Sequence, residues 1–307
     1  MEDFSRIKFI WHGGKLIPFM DAKIHVMTPT VFWASNVFEG MRGYWNEEEG
    51  QVYLFRIEDH FDRISESSKM MRMPLPFDRQ KYGEYVKETV IGNGFKEDVA
   101  IEQRIYVDGI GRWYETEPTN MFISAMPLGR VQDIENGVAC KTSTWLRISE
   151  HSMSPRIKCG SNYQNSRLAI LEAAADGYKA VLFINNRGKL SEGPGYCVFL
   201  VKRGAVVTPS VTSDILESIT RLTLIELFQK EMGLKVEDRE VDRTEMYVAS
   251  EAFICGTRAE IVPITSLDRI PIGDGKPGSI TKRIQQIYFD IARGKDKRYV
   301  HWLTAVY

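Results

Sequence analysis

Apolar residues recur at helical spacing in two stretches of the first half of the chain, residues 57–74 and 78–94. Strands are predicted where apolar residues alternate with polar ones or form short extended runs: 8–11, 16–18, 52–55, 99–107 and 121–126. Pro127-Leu128-Gly129 then interrupts the pattern. We therefore place a linker between two domains at about 127–136.

The second half of the chain mixes strands and helices. The pattern predicts strands at 139–146, 180–185, 197–202 and 249–255 and helices at 162–176, 219–231 and 278–293. Ser218 is the expected N-cap of the helix at 219–231, and Gly233 is its expected stop. This mixture favours an α/β or α+β fold with domains at 1–126 and 137–307 and the active site in the cleft between them.

Composition limits the class of protein. The chain has 307 residues and a net charge of −1, so no overall field attracts nucleic acid or anionic lipid. No stretch of about eighteen apolar residues is present, and the first residues show no secretory signal. The four cysteines and five histidines have no metal-ligand spacing, and we expect reduced thiols. These features predict a soluble, cytoplasmic protein without a metal site.

Two glycine-rich turns carry candidate chemistry, Lys158-Cys159-Gly160 and Ser191-Glu192-Gly193. A lysine in a tight turn is a candidate Schiff-base amine, and a carboxylate can keep a pyridine nitrogen protonated. A pyridoxal phosphate enzyme needs both groups. Taken alone, such a lysine is more often a surface lysine of a basic loop, and such a glutamate is more often an ordinary turn residue.

Three features could bind a phosphate. Arg63 lies on the predicted polar side of a helix, and a guanidinium binds phosphate bidentately. Ile219 and Thr220 begin a helix, where unpaired N–H groups attract anions. The Gly256-Thr257 turn could add further N–H donors. A solvated arginine and a simple helix cap are the alternatives.

Together these segments resemble the branched-chain amino acid aminotransferases, a class IV family of pyridoxal phosphate enzymes with the two-domain fold-type IV (D-amino acid aminotransferase-like) architecture. The similarity extends from about residue 8 to 293. It is carried, in order, by Val37-Phe38-Glu39-Gly40-Met41-Arg42, Arg63, Lys158-Cys159-Gly160-Ser161-Asn162-Tyr163, Leu190-Ser191-Glu192-Gly193-Pro194-Gly195, Ile219-Thr220-Arg221, Cys255-Gly256-Thr257 and Thr281-Lys282-Arg283-Ile284-Gln285-Gln286.

The resemblance implies roles for individual residues. Lys158 would be the Schiff-base and catalytic lysine, Glu192 the partner of the pyridine nitrogen, and Tyr163 the donor to the phenolic oxygen of the cofactor. The remaining implied cofactor ligands, at the phosphate, are Arg63, Ile219, Thr220 and Thr257. The implied substrate pocket comprises Trp33, Phe38, Gly40, Glu102, Gly195, Arg258 and Ala259. Trp33 would be supplied by a neighbouring subunit, which implies a homodimer or a multiple of dimers.

The chain departs from the family at the pocket strand. Where the family commonly has Tyr-x-Arg, this chain has Ala100 and Glu102. A desolvated carboxylate there repels a substrate carboxylate unless a cation pairs with it, and Arg104, Arg130 and Arg258 are candidates.

Transamination of branched-chain or related hydrophobic amino acids with 2-oxoglutarate and glutamate is the implied activity. Glu102 and an aromatic residue after Gly-Pro-Gly also resemble (R)-selective amine transaminases, so an amine or D-amino acid donor is an alternative. An aminodeoxychorismate-type lyase is a second alternative. A purely binding role is disfavoured because the lysine and the phosphate ligands are all present.

Overall fold

A computed structural model of the chain describes residues 4–307; residues 1–3, on which part of the leader-sequence expectation falls, lie outside the described residues. The chain forms two compact units. The first comprises Met1–Gly129, Ile157–Ser161 and Asp290–Tyr307, and the second comprises Arg130–Arg156 and Asn162–Phe289. The segment around Lys158 thus groups with the first unit, although the sequence-based boundaries, which stay a prediction, assign it to 137–307.

The strands are numbered in chain order. They are β1 Phe9–His12, β2 Lys15–Pro18, β3 Asn36–Asn46, β4 Gln51–Phe55, β5 Val99–Val107, β6 Thr119–Pro127, β7 Val138–Thr142, β8 Ala180–Leu182, β9 Cys197–Lys202, β10 Ala205–Pro209, β11 Val236–Arg239, β12 Glu251–Gly256, β13 Glu260–Leu267, β14 Ile270–Pro271 and β15 Leu303–Ala305.

The α-helices are α1 Pro29–Trp33, α2 Ile57–Met70, α3 Arg79–Asn93, α4 Tyr163–Ala175, α5 Ile219–Met232, α6 Arg243–Tyr247 and α7 Ser279–Ala292. Short 3-10 turns lie at Phe4–Arg6, Phe19–Asp21, Gln132–Ile134, Val211–Ser213 and Lys297–Trp302.

The first unit is built on an antiparallel sheet in the order β15-β4-β3-β5-β6-β1-β2. Successive side chains of a strand point to opposite faces. Along β3, Val37 and Glu39 therefore point to one face, and Phe38 and Gly40 to the other. Helix α2 contacts the Glu39 face through Arg63. The opposite face of β3 and β5 carries most of the predicted pocket residues of this unit.

The second unit is built on a mixed sheet in the order β11-β10-β9-β12-β13-β7-β8, with β14 paired to β13. Its core contains buried aliphatic residues of β9 and β12 such as Val198, Leu200 and Ile254. Side chains on the other face of the same strands, Phe199 and Phe253, stack at 5.1 Å between ring centroids. Because these strands are buried on both faces, they read as continuous apolar runs in the sequence.

Helix α5 begins and ends where the sequence predicts. The Ser218 side chain accepts a hydrogen bond from the backbone N–H of Arg221, so it is the N-cap. Gly233 follows the last turn with a φ of 62°, a left-handed conformation that favours glycine. Both predictions are confirmed, and the start of α5 is thereby fixed.

Strands β7 and β8 are shorter than the predicted runs at 139–146 and 180–185. Ser143 still donates its N–H to Leu182 O at 2.9 Å. The N–H of Thr144 instead bonds the carboxylate of Glu172, at 3.2 Å to Oε1, so the chain leaves the sheet there. The segment that follows contains Arg147, whose side chain forms an ion pair with Glu192.

Within residues 4–307, no helix is long and apolar enough to cross a membrane. Over the same range, His, Cys, Asp and Glu side chains form no group of three or more that could hold a metal ion.

Candidate active site

The backbone around Lys158 is fixed against the edge of β3. Lys158 O accepts the N–H of Phe38 at 2.9 Å, and Cys159 forms an isolated β-bridge with Val37. The N–H of Lys158 donates to the hydroxyl of Ser67, on α2, at 3.1 Å. Both polar backbone groups of the lysine are therefore bonded, so its side chain leaves from a fixed point of the first unit.

The lysine amine lies against an aromatic ring that it shares with an arginine. Lys158 Nζ is 4.6 Å from the ring centroid of Phe38, and the guanidinium carbon of Arg104 is 4.7 Å from the same centroid. Arg104 Nη1 donates to Asn36 Oδ1 at 2.8 Å. We call Asn36, Phe38, Arg104 and Lys158 the lysine cluster.

Arg63 is buried in an ion pair, and the expectation that it lies on the polar side of its helix is wrong. Its Nε and Nη2 each donate to the Glu39 carboxylate at 2.7 Å, and His60 Nδ1 lies 2.7 Å from the same carboxylate. Burial alone would raise the pKa of Glu39, but the charge and hydrogen bonds of Arg63 and the hydrogen bond to His60 outweigh it and lower this pKa to about 2.

His60 completes this buried group as a neutral partner. Burial lowers the pKa of His60 below its ordinary value, and the opposing attraction of Glu39 does not offset that effect. Glu39 and His60 were not predicted as partners of Arg63. One signal was available: His60 and Arg63 are three residues apart and therefore share one face of α2.

Glu192 is the centre of a second buried group, in the second unit. Its Oε1 forms an ion pair with Arg147 Nη2 at 2.7 Å and accepts the N–H of Leu216 at 3.1 Å. The thiol of Cys197 is 3.8 Å from Oε2. Arg147, which also lies 5.6 Å over the ring of Phe183, was not found by sequence reasoning because nothing local marks its partner.

Three sequence-predicted segments of the second unit meet at Gly195. This glycine has a φ of 88°, and a Cβ on it would lie 3.7 Å from the ring of Tyr163. A Cβ on Gly256 would lie only 2.9 Å from Gly195 O, so the close approach of the two turns requires glycine at position 256. The turn continues into Thr257 and Ala259, which are half-buried.

The start of α5, in the same unit, has two features that favour a bound anion. Ile219 and Thr220 are both buried and occupy the first turn of a fourteen-residue helix. The first N–H groups of a helix and the positive end of its dipole favour a bound anion. Ser218 caps this turn and holds it in place.

The remaining predicted pocket residues divide between the two units. In β3 and β5, Gly40 lies opposite Glu102. Trp33 ends α1 and is 57% exposed. In the second unit Arg258 is exposed, and the guanidinium of Arg130 stacks 3.9 Å over Phe289.

These groups fit pyridoxal phosphate chemically. The first unit supplies an amine held on a fixed backbone, together with a guanidinium. The second supplies a buried carboxylate already paired with an arginine, a phenol and a capped helix start. An aldehyde, a phosphate and a protonated ring nitrogen each find a matching group in this set.

Comparison with known proteins agrees with the fit. A family model described as "Amino-transferase class IV" matches residues 36–267. The chain is 36% identical to a probable branched-chain-amino-acid aminotransferase of Aquifex aeolicus, covering 100% of this chain and 99% of that protein. It is 34% identical to the branched-chain-amino-acid aminotransferase of Escherichia coli strain K12, with 98% of each chain covered.

A solved structure gives the same result. The branched-chain amino acid aminotransferase of Thermobaculum terrenum in its PLP-form has a TM-score of 0.91 and 44% identity, with 98% of each chain covered. The chain therefore belongs to the class IV aminotransferases and, among them, to the branched-chain-amino-acid aminotransferase family of fold-type IV pyridoxal phosphate enzymes.

Proposed function

We propose that this enzyme transfers the amino group of branched-chain and related hydrophobic L-amino acids to 2-oxoglutarate, forming glutamate. Full-length similarity to branched-chain-amino-acid aminotransferases carries this proposal. Related structures contain norvaline in one case and a phosphopyridoxyl-glutamate adduct in another, which are a hydrophobic and an acidic substrate type.

Lys158 is the proposed catalytic residue. Pyridoxal phosphate, when bound, supplies an electron-accepting ring that makes the Cα proton of an attached amino acid acidic. The Lys158 amine would hold the aldehyde of the cofactor and, when not bonded to it, would take the proton from Cα. The backbone bonds to Phe38 and Ser67 keep the lysine in reach of both tasks.

Glu192 is the proposed partner of the ring nitrogen. Its ion pair with Arg147 and the bond from Leu216 fix the carboxylate, so it loses little freedom when it accepts the N–H of the ring. Tyr163 is proposed to donate to the phenolic oxygen. Arg63, Ile219, Thr220 and Thr257 are proposed to bind the phosphate.

The proposed pocket residues are those that the resemblance implies: Trp33, Phe38, Gly40, Glu102, Gly195, Arg258 and Ala259. Phe38 presents its ring beside the lysine amine and suits an aliphatic side chain. Gly40 lies opposite Glu102 and leaves open space, since a Cβ there would contact no other atom within 4 Å.

A homodimer, or a multiple of dimers, in the cytoplasm is the proposed working state. Val31, Phe32 and Trp33, which we call the α1 patch, are each more than half exposed in a single chain. Three consecutive exposed apolar residues favour burial against a partner, and a second copy suits a pocket that is expected to borrow Trp33.

A half-reaction screen tests the proposed activity. Leucine, isoleucine, valine, glutamate, D-alanine and (R)-1-phenylethylamine are each mixed with the holoenzyme while cofactor absorbance is followed. The branched-chain L-amino acids and glutamate are expected to react. Reaction with only the D or (R) donors would contradict the proposal, as would amine loss without a keto-acid acceptor in steady turnover.

Lys158→Ala is expected to abolish turnover, because the variant loses the proton carrier at Cα. Borohydride reduction of the wild-type holoenzyme followed by peptide mapping should label Lys158. A label on another lysine, or residual turnover of the variant near the wild-type level, would show that the assignment is wrong. The matched control is Lys179→Ala, since this lysine is exposed and pairs with Asp133.

A further inference from the structure

Strand β5 carries an acid and a base on one face, at Glu102 and Arg104. Glu102 lies opposite Gly40 of β3, and Arg104 lies opposite Phe38. Residues two apart on a strand share a face, so all four side-chain positions belong to the same surface. That surface includes two of the proposed pocket residues of β3.

Arg104 and the catalytic lysine lie over the same aromatic ring. The guanidinium carbon of Arg104 is 4.7 Å from the ring centroid of Phe38, and Lys158 Nζ is 4.6 Å from it. A Cβ on Gly160 would lie 2.8 Å from Asn36 Oδ1 and 3.4 Å from Arg104 Nη1. The turn that carries the lysine is therefore packed directly on the Asn36–Arg104 hydrogen bond.

An enzyme that exchanges hydrophobic and acidic amino acids needs a cation that only the acidic substrate reaches. Arg42, farther along β3, is buried and donates to Gly129 O at 3.0 Å. Arg130 stacks on Phe289, and Arg258 belongs to an exposed turn. Arg104 is the cation that shares a ring with the reacting amine.

We propose that Arg104 binds the side-chain carboxylate of glutamate and 2-oxoglutarate; this inference rests on the proposed function. A guanidinium carries five N–H donors, so it can bond Asn36 and a carboxylate together, and the Asn36 bond orients its plane.

The test compares Arg104→Leu with the wild type in two half-reactions. Wild-type holoenzyme must first react with both leucine and glutamate. If the wild type does not react with both, the proposed function is wrong, whatever the Arg104 variant does. In the variant, the second-order rate constant of the half-reaction should fall about 100-fold for glutamate. It should change less than about 3-fold for leucine. Equal losses with both substrates, or no loss with glutamate, would overturn the proposal.

Equilibrium binding to the holoenzyme gives a readout that general damage would not reproduce. Glutarate and 4-methylpentanoate are titrated while cofactor absorbance is followed. Arg104→Leu should weaken glutarate binding about 100-fold and leave 4-methylpentanoate unchanged. If Arg104→Leu does not fold, Arg104→Lys is used in its place. Lysine keeps the positive charge but lacks the planar guanidinium that bonds a carboxylate through two N–H groups, so glutarate should bind about 10-fold more weakly. Unchanged glutarate binding in the folded variant would overturn the proposal.

The matched control is Arg298→Leu. Arg298 also lies over an aromatic ring, at 5.6 Å from Tyr299, and pairs with an acid at 2.6 Å, but its side chain is 65% exposed. Both ligands and both half-reactions should remain at wild-type values. A loss of glutarate binding in this control would mean that arginine removal acts through overall charge.

Discussion

Glu39 is a fully buried carboxylate whose charge is stabilised by Arg63 and His60. Replacing it by glutamine keeps the shape but removes the charge of Glu39 from beside the buried guanidinium of Arg63. Breaking a buried pair in this way costs about 3–5 kcal/mol. Glu39→Gln is therefore expected to lower the free energy of unfolding near neutral pH by about 3 kcal/mol, measured by urea unfolding.

The same pair predicts a pH dependence. The pKa of Glu39 falls from an ordinary 4.5 to about 2 in the folded chain, so its contribution is present above pH 4.5 and is lost as the pH falls towards 2. The gap between wild type and Glu39→Gln should narrow over that window. A constant gap from pH 7 to pH 3 would contradict the prediction. Glu97→Gln, in an exposed pair with Arg6, serves as control and should cost less than about 1 kcal/mol.

Some site residues could be singled out from sequence and others could not. Lys158 and Glu192 lie in glycine-rich turns whose local chemistry is visible along the chain. Arg63 was also found, but its burial was not, because Glu39 lies 24 residues away on a different element. Arg147 was missed for the same reason: an ion pair between distant segments leaves no local pattern.

At the scale of elements, the first turn of α5 is the feature most open to a direct test. Ser218→Ala removes the side-chain acceptor for the N–H of Arg221 and should destabilise the protein by about 1 kcal/mol. Because the proposed phosphate ligands Ile219 and Thr220 lie in this turn, cofactor dissociation should also become several-fold faster. Dissociation is measured by loss of cofactor absorbance under dilution into a trapping apo-protein.

Asp78→Ala is the matched control for this variant. Asp78 caps α3 in the same way, accepting the N–H of Lys81 at 2.9 Å, and α3 carries none of the proposed cofactor ligands. It should lose similar stability while cofactor dissociation stays at the wild-type rate. If both caps, or neither, altered cofactor dissociation, the anion-binding role of the α5 start would be contradicted.

Periodicity located helices better than it located the longest strand. Helices α2 and α3 end within a few residues of the predictions, and in α2 an apolar stripe along one face gives the signal. Strand β3, eleven residues long, was recognised as a motif but not as a strand. Glu39 and Arg42 occupy buried positions in β3, where a strand pattern usually has apolar residues.

At the scale of the whole molecule, several exposed apolar residues of the first unit lie next to the α1 patch. Beside the α1 patch, Ile110, Trp113 and Tyr114 are 75%, 67% and 52% exposed. A Cβ on Gly111 would lie 3.5 Å from Pro29 at the start of α1, so the two segments adjoin. A stable dimer commonly buries about 1,200–2,000 Å² in total, with aromatic residues enriched at its centre.

Phe32→Glu is therefore expected to weaken the proposed homodimer. Phe32 is 55% exposed in the single chain and lies at the centre of the α1 patch, so a buried carboxylate there would oppose association. Light scattering after gel filtration should show the wild type as a dimer or larger and the variant shifted towards monomer. Activity should fall in parallel, because Trp33 is expected to complete the pocket of the neighbouring subunit.

Val300→Glu is the control, since Val300 is equally exposed, at 56%, but lies outside the α1 patch. A monomeric wild type, or a Phe32→Glu variant that keeps its mass and activity, would mean that the α1 patch does not join subunits.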